Sequence, residues 1–494
     1  MVCGTASDVG KTHVVTGLCR LLARRGVRAC PFKAQNMALN SYVTPSGHEI
    51  ARAQGVQALA AGAVPEAAMN PVLLKPTGER TSQVVVMGRP LGHLEAKEYQ
   101  AEKPRLLQVV LDALSSLRER FEVVVCEGAG SPAEVNLEDI VNLRVAGEAG
   151  LPAVLVGDID RGGVFASLYG TLALLPPGQR RLVRGLVVNK LRGDPVLLGP
   201  GLADLERRCG VPCLGVLPFT HGLSLDAEDS LALAGPRPSP AGEPAGESLD
   251  VAAVHLPRMA NFTDLDALSI EPGVGVRLVQ TAAALGDPDL VIVPGSKATV
   301  SDLAWLRGRG LDRALAAARE RGTVVLGLCG GYQMLGRVIV DEVESGAGKV
   351  EGLGWLDVVT MFRPDKVTRQ RRGWSRFAGA VQRVSGYEIH HGRPEAGPGA
   401  EPFIHLDDAY GAGPEGAVDS SGTVLGTSLH GLFEEDGWRA AFLSEVGRRR
   451  RRRFRPAGVS FDSARQAQFD RLADLLEAHL DMGAVEAIIE EGAR

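Results

Sequence analysis

The chain has 494 residues, too many for one ordinary domain, and two or three are expected. It is 45% hydrophobic with only 5% aromatic residues, so its cores must be built from Val, Leu and Ala. A net charge of −5 and a pI of about 6.1 argue against nucleic acid as a partner, and no apolar stretch reaches the ~20 residues of a membrane span.

The N-terminus lacks the charged-then-apolar pattern of a leader. The seven cysteines (Cys3, Cys19, Cys30, Cys126, Cys209, Cys213 and Cys329) are scattered and contain no CxxC pair. They indicate neither a disulfide framework nor a zinc site, and a reduced cytoplasmic protein is expected.

The first element is a glycine-rich loop. Residues 4–12, GTASDVGKT, lie between a short apolar segment and a helix beginning near Val14. Glycines Gly4 and Gly10 let the backbone, with Thr5, curl so that N–H groups point at phosphate oxygens. The following helix adds its positive end. Lys11 would neutralise the β- and γ-phosphates of ATP, and the Thr12 hydroxyl would ligate Mg²⁺. The strand before the loop has only Met1, Val2 and Cys3, short for a central parallel strand of about five or six residues. Either the natural start lies upstream or the first strand is short.

Short apolar runs follow at 123–126, 153–156, 186–188 and 214–217, and again at 251–255, 276–279, 290–293 and 324–328. Such runs suit strands buried on both faces, alternating with helices, and the fold class expected is α/β with two doubly wound domains. Ligands in such sheets bind at the carboxyl ends of strands. Glu127, which ends the run 123–126, is therefore a candidate metal ligand beside Thr12. Asp158 and Asp160 are similarly placed. Lys33, near the end of the second strand, is a candidate for the transferring phosphoryl group. Asn189 and Lys190 are a candidate base-recognition pair.

Residues 235–249, GPRPSPAGEPAGESL, carry no periodic apolar pattern and are expected to be a linker. Beyond it, TVVLGLCGGYQML (323–335) reads as strand, sharp turn and helix. A nucleophile on such a turn is held exposed, and Cys329 occupies that place. The helix start favours its thiolate, and the Gly330 N–H is the natural oxyanion donor. A cysteine nucleophile needs a base. His430 in GTSLHG (426–431) ends an apolar run, and it competes with His390 and His391 in GYEIHHG (386–392). The tail carries the arginine run Arg448 to Arg453, expected to be a solvated face or a disordered joint, and an amphipathic stretch, 461–480. The acidic polar side of the final helix disfavours membrane attachment.

These residues carry a resemblance. GLCGGYQ (327–333) resembles the nucleophile turn of class I glutamine amidotransferases, and PGS (294–296) their oxyanion strand. The resemblance implies Gly295 as a second oxyanion donor, Tyr332 and Gln333 as glutamine-binding, and His430 as the catalytic histidine. The N-terminal half resembles the dethiobiotin synthetase group of P-loop enzymes, whose loop has the same extra residue. The combination is similar to the cobyric acid synthase family of cobalamin biosynthesis, through PFKAQNM (31–37), NSYVT (40–44), NPVLLKP (70–76), EGAGSPAE (127–134), DIDRGGVF (158–165) and NKLRGD (189–194).

The resemblance implies amidation of the b, d, e and g carboxylates of adenosylcobyrinic acid a,c-diamide, with glutamine and ATP, giving adenosylcobyric acid. It also implies a P-loop domain over 1–234, a linker over 235–249, an amidotransferase domain over 250–445 and a joint with a terminal helix over 446–494. Many class I amidotransferases have a glutamate two residues after the histidine; here that position is Leu432, and Glu434 lies two further on. A third catalytic member is unassigned. The sister enzyme that amidates the a and c carboxylates of cobyrinic acid shares this architecture. A partition-type ATPase switch is a further alternative, but such loops carry a signature lysine where this chain has Ala6.

Overall fold

The computed structural model describes residues 1–78, 80–134, 140–220, 222–223, 247–377 and 379–492. Most of the expected linker, 235–246, lies outside them. The chain divides into two compact units. One comprises Met1–Ala38, Glu49–Leu225 and Arg465–Arg494; the other comprises Leu39–His48 and Asp226–Ala464.

The first unit is built on parallel strands. Val2–Gly4 pairs with Ala153–Asp158, which pairs with Val183–Leu191, which pairs with Cys213–Pro218. On the other side Ala29–Phe32 pairs with Val123–Cys126, and a parallel bridge from Val2 to Glu127 joins the two groups. The first strand has three residues, yet its ladder runs on at both ends. Val154 N–H donates to the Met1 carbonyl at 2.8 Å, and Thr5 N–H donates to the Val156 carbonyl at 2.9 Å. Gln35–Met37, Val72–Pro76, Thr81–Val86 and Arg89–Glu95 form a separate mixed sheet.

The helix after the loop, Lys11–Arg24, buries Val14, Val15, Cys19 and Leu22. Gly17 lets another helix, Phe461–His479, come close: a Cβ at Gly17 would lie 2.7 Å from Leu476 Cδ1 and 3.1 Å from the Leu472 carbonyl oxygen. Phe469, Leu472 and Leu476 are buried there. The acidic side of this helix faces arginines. Arg20 pairs with Asp470 at 2.7 Å, Arg24 with Asp474 at 2.5 Å and Arg25 with Glu477 at 2.9 Å. Partly exposed pairs of this kind contribute about 0–1 kcal/mol each. Burying a Leu or Phe side chain contributes about 1.5–3 kcal/mol, so the apolar face holds the helix and the ion pairs set its register.

The second unit has a six-stranded sheet in the order Val274–Val279, Leu249–Val254, Leu290–Val293, Val324–Leu328, Val424–Thr427, Ala417–Val418. Its first five strands are parallel and the last is antiparallel. A second sheet contains a long hairpin, Val358–Ser375 with Gln382–Ala396, interrupted by a bulge between Phe362 and Val367. The arginine run is not a free solvated face. Arg448 and Arg449 each pair with Glu445 at 2.7 Å. Arg452 pairs with the buried Asp289 at 2.8 Å, and Arg450 with Asp287 at 3.0 Å. The run closes the base of the sheet by pairing with acids that precede Leu290–Val293.

Leu476→Ala is expected to destabilise the protein by about 2–5 kcal/mol, the usual range for deleting a buried leucine side chain. Urea denaturation measures this, and a loss below about 0.5 kcal/mol would show that the helix is not packed as described.

Candidate active sites

The loop of the first unit is shaped by two glycines, at each of which a side chain would crowd its neighbours. A Cβ at Gly4 would meet Val9 Cγ2 at 2.6 Å and Lys11 Nζ at 3.0 Å. Gly10 has φ +99°, a conformation that disfavours side chains, and a Cβ there would lie 2.1 Å from Asn189 Nδ2. The loop is then tied from inside and outside. Lys11 Nζ donates to the carbonyls of Ala6 at 2.9 Å and Gly130 at 3.2 Å. Asn189 Nδ2 donates to the Val9 carbonyl at 2.8 Å.

Behind the loop, Glu127 follows the strand Val123–Cys126 and is 1% exposed. Thr12 Oγ1 donates to its Oε1 at 3.0 Å and Lys33 Nζ to the same oxygen at 2.9 Å. Gln57 Nε2 donates to Oε2 at 2.5 Å. Burial pushes the Glu127 carboxyl up, but the Lys33 charge, the bonds from Lys33 and Gln57, and the Lys11 charge outweigh it and hold the group below its ordinary value. Thr12 and Glu127 thus present two adjoining oxygen donors beside the loop. That set fits a hard cation such as Mg²⁺, which keeps several waters and takes phosphate oxygens for the rest.

Asp158 and Asp160 are placed differently from Glu127. Lys190 Nζ bonds Asp158 Oδ2 at 2.8 Å and the Asp8 carbonyl at 2.5 Å, and Arg192 bonds Asp160 at 2.5 Å. Asp158 and Asn189 are register partners on neighbouring strands. These two blocks brace the loop from one side, while Lys33, Gln57 and Glu127 brace it from the other. Gln57 left no trace in the sequence pattern; it lies on Arg52–Ala60, a helix whose polar residues Arg52, Gln54 and Gln57 are all buried.

In the second unit Cys329 follows Val324–Leu328 and caps the six-residue helix Gly330–Leu335 with φ +47° and ψ −103°. A non-glycine residue at such a φ stores strain and is held only by its surroundings. The Cys329 N–H donates to the Thr427 carbonyl at 2.7 Å, and Leu328 pairs with Thr427 in register. Small residues bring other backbone against this turn. A Cβ at Gly330 would sit 2.7 Å from Ser296 N, and one at Gly331 would sit 1.9 Å from the Val293 carbonyl oxygen. A Cβ at Gly295 would lie 2.6 Å from the Ala260 carbonyl oxygen and 2.7 Å from His430 Cε1. Gly295, Gly330 and His430 are therefore gathered around the cysteine turn.

His430 is fully buried, three residues past the strand Val424–Thr427. Its ring stacks on Tyr387 with centroids 5.4 Å apart, and the two residues exchange backbone hydrogen bonds of 3.0 Å. The Asp264 carboxylate accepts the Gly431 and Phe433 N–H groups at 2.8 and 3.0 Å, fixing the chain just beyond it. His390 and His391 lie in the long hairpin instead, bonded to the Gly392 and Arg363 carbonyls at 2.6 and 3.0 Å. Leu432 is buried in the core. Gln333 accepts from Thr299 Oγ1 at 3.3 Å and lies against Gly392. The Tyr332 ring packs on Gly426.

A phosphate-binding loop at one sheet and a cysteine–histidine turn at the other define a two-activity enzyme, a glutamine-hydrolysing ATP-dependent ligase. Residues 1–232 match the model of the CobQ/CobB/MinD/ParA nucleotide binding domain, and residues 250–438 that of the CobB/CobQ-like glutamine amidotransferase domain. The chain is 52% identical to a cobyric acid synthase of Nocardia farcinica, over 100% of this chain and 97% of that one. It is 52% identical to one of Rhodococcus jostii and 50% identical to one of Frankia casuarinae, each over 100% of this chain and 96% of the relative. The chain belongs to the cobyric acid synthase family, and its activity is amidation in cobalamin biosynthesis.

One residue ties the Cys329 and His430 segments together. The Glu415 carboxylate accepts the Thr427 hydroxyl at 2.5 Å and the Ser428 N–H at 2.7 Å, and the Thr427 carbonyl accepts from Cys329. Burial pushes the Glu415 carboxyl up to about 7, against the lowering bonds from Thr427 and Ser428, with Glu388 adding like-charge repulsion. Its folded pKa exceeds the unfolded one, so between the two the folded state binds more protons. Relative to Glu415→Gln, the wild type is therefore expected to lose stability as pH rises from about 4.5 to about 7. Urea midpoints of both proteins at the two ends of that window measure this; a constant difference would contradict it.

Proposed function

We propose that the first unit activates substrate carboxylates as acyl phosphates and that the second supplies ammonia from glutamine. The substrate is adenosylcobyrinic acid a,c-diamide, amidated at its b, d, e and g carboxylates. The relatives' shared name supports the substrate. The observation that carries the chemistry is the Glu127 carboxylate, bonded at once by Thr12 of the loop and by Lys33.

A carboxylate is a poor electrophile and its oxygen a poor leaving group. Transfer of the ATP γ-phosphoryl group to that oxygen releases ADP and makes phosphate the leaving group. The backbone from Gly4 through Thr5 to Gly10 receives the phosphates, and Lys11 and Lys33 stabilise the charge on the transferring group. Asn189, bonded to the Val9 carbonyl of the loop, would contribute to recognition of the nucleotide base. Thr12 and Glu127 would hold Mg²⁺, which supplies charge neutralisation at the β- and γ-phosphates when bound.

In the second unit the Cys329 thiolate attacks the glutamine side-chain amide. The N–H groups of Gly295 and Gly330 receive the oxyanion, and His430 delivers a proton to the departing ammonia. Water then cleaves the glutamyl thioester, with His430 taking its proton. Gln333 and the Tyr332 backbone line the glutamine. Ammonia attacks the acyl phosphate, the amide forms and phosphate leaves.

Cys329→Ser is expected to lower glutamine-dependent amidation at least about a thousandfold while leaving amidation from ammonium salts within about threefold. Loss of both would contradict the two-site account. Lys11→Ala is expected to abolish synthesis with either nitrogen source, and retained synthesis would remove the loop from the ATP site. Offering the corrinoid with free a and c carboxylates beside the a,c-diamide, and following which is consumed, tests the substrate.

A further inference from the structure

The segment 39–48, which carries the block NSYVT, belongs to the second unit, although the chain on either side of it belongs to the first. Neither nucleotide binding nor glutamine cleavage, as described above, uses it. Its contacts nevertheless fall on the residues that place the catalytic groups of the cysteine turn.

The first contact is beside Gly295. Residues 258–260 run antiparallel to 295–297. Lys297 N–H donates to the Arg258 carbonyl at 2.9 Å, Met259 and Ser296 form an antiparallel bridge, and Ala260 N–H donates to the Gly295 carbonyl at 2.9 Å. The next residue, Asn261, has φ +53°. Asparagine tolerates that left-handed conformation better than most residues, but its surroundings must hold it there. Those surroundings include residues 40 and 41. Asn261 Oδ1 accepts the Ser41 N–H at 2.8 Å, and Asn40 Oδ1 accepts the Phe262 N–H at 3.3 Å. Each carboxamide thus bonds the other segment's backbone, and all four residues are buried. Two residues further on, Asp264 fixes the chain after His430 through the Gly431 and Phe433 N–H groups.

The same segment approaches the histidine by a second route. Gln370 Nε2 donates to the Val43 carbonyl at 2.9 Å, and the Val43 side chain packs with Tyr387 and Ile389 in a small buried cluster. Tyr387 in turn stacks on the His430 ring. Burial of Val43 would by itself anchor the segment. The paired carboxamides do something more particular: they clamp the backbone of 261–262, one residue from the partner of Gly295.

We propose that Asn40 and Asn261 are positioning residues of the glutaminase. Their reciprocal bonds hold residues 258–262, which through Ala260 hold Gly295 and aim its N–H at the oxyanion. This rests on the assignment of the Cys329 turn to glutamine hydrolysis.

The test measures glutamine hydrolysis by Asn40→Ala, Asn261→Ala, Asn261→Gly and the double variant Asn40→Ala/Asn261→Ala, with two inhibitors as probes. L-glutamate has no tetrahedral centre at its side chain. L-glutamate γ-semialdehyde takes up the Cys329 thiol across its carbonyl, and the oxygen of the resulting thiohemiacetal occupies the oxyanion position. Each single variant is expected to lower kcat about 10- to 100-fold, since a misplacement of about 1 Å costs about a hundredfold, with KM for glutamine within about threefold. Ki for the semialdehyde should rise by the factor by which kcat/KM falls, and Ki for glutamate by no more than about twofold. Asn261→Gly should be as slow as Asn261→Ala, because glycine admits the φ but supplies no acceptor. The double variant should be within about threefold of the slower single one, because either loss opens the same clasp. A smaller folded fraction would lower kcat and leave both Ki values unchanged, and that result would overturn the proposal. So would an unchanged kcat, losses that multiply in the double variant, or Asn261→Gly at the wild-type rate. A wild type that neither hydrolyses glutamine nor binds the semialdehyde would instead overturn the assignment beneath it.

Discussion

The first unit is organised by the need to keep one carboxylate charged inside an apolar sheet. Glu127 sits at the end of a buried strand, where an uncompensated anion would cost several kcal/mol. Compensation comes from Thr12 at the head of the loop helix, Lys33 beyond the second strand and Gln57 on the following helix. Removing one partner of such a buried set costs about 3–5 kcal/mol, because the others remain desolvated. The same contacts that stabilise the unit therefore fix the relative positions of the loop, its lysine and the strand-end acid. A site held this way needs little reorganisation when phosphates bind, which is where electrostatic catalysis draws its advantage.

The second unit solves a different problem, by steric closeness. The cysteine turn is strained, and glycines at 295, 330 and 331 let neighbouring backbone approach to distances that a Cβ would forbid. Hydrogen bonds from Cys329 to Thr427, and from Thr427 and Ser428 to Glu415, lock the strand leading to Cys329 to the strand leading to His430. Tyr387 and Asp264 set the histidine and the residues after it. Position 432 is apolar and buried, where many class I amidotransferases have a carboxylate.

The parts legible in the sequence were those whose chemistry is local. The runs at 123–126, 290–293 and 324–328 coincide with strands, because residues buried on both faces leave a continuous apolar signature. The loop and the nucleophile turn were legible because glycine spacing is dictated by backbone geometry. What escaped were side chains whose partners are distant in sequence. Gln57 meets Glu127 across 70 residues, and Glu415 acts on Ser428 through a carboxylate in an unremarkable strand. The mixed sheet around Val72–Pro76 escaped as well, because its neighbouring strands QNM, TSQVVV and RPLGHLE mix polar with apolar residues and leave no continuous apolar run. The arginine run was misleading for the same reason, since its partners Asp287 and Asp289 lie about 160 residues earlier. The acidic side of the last long helix likewise found its counterpart on the loop helix, near the other end of the chain.

The central claim is that the first unit makes an acyl phosphate of the substrate before nitrogen arrives. It is tested most directly by supplying the corrinoid with ¹⁸O in its free carboxylates, together with ATP and glutamine, and analysing the inorganic phosphate by mass spectrometry. Each amide formed should place one ¹⁸O atom in phosphate. Amide formation with no label in phosphate would show that the carboxylate oxygen leaves by another route, and would contradict the account.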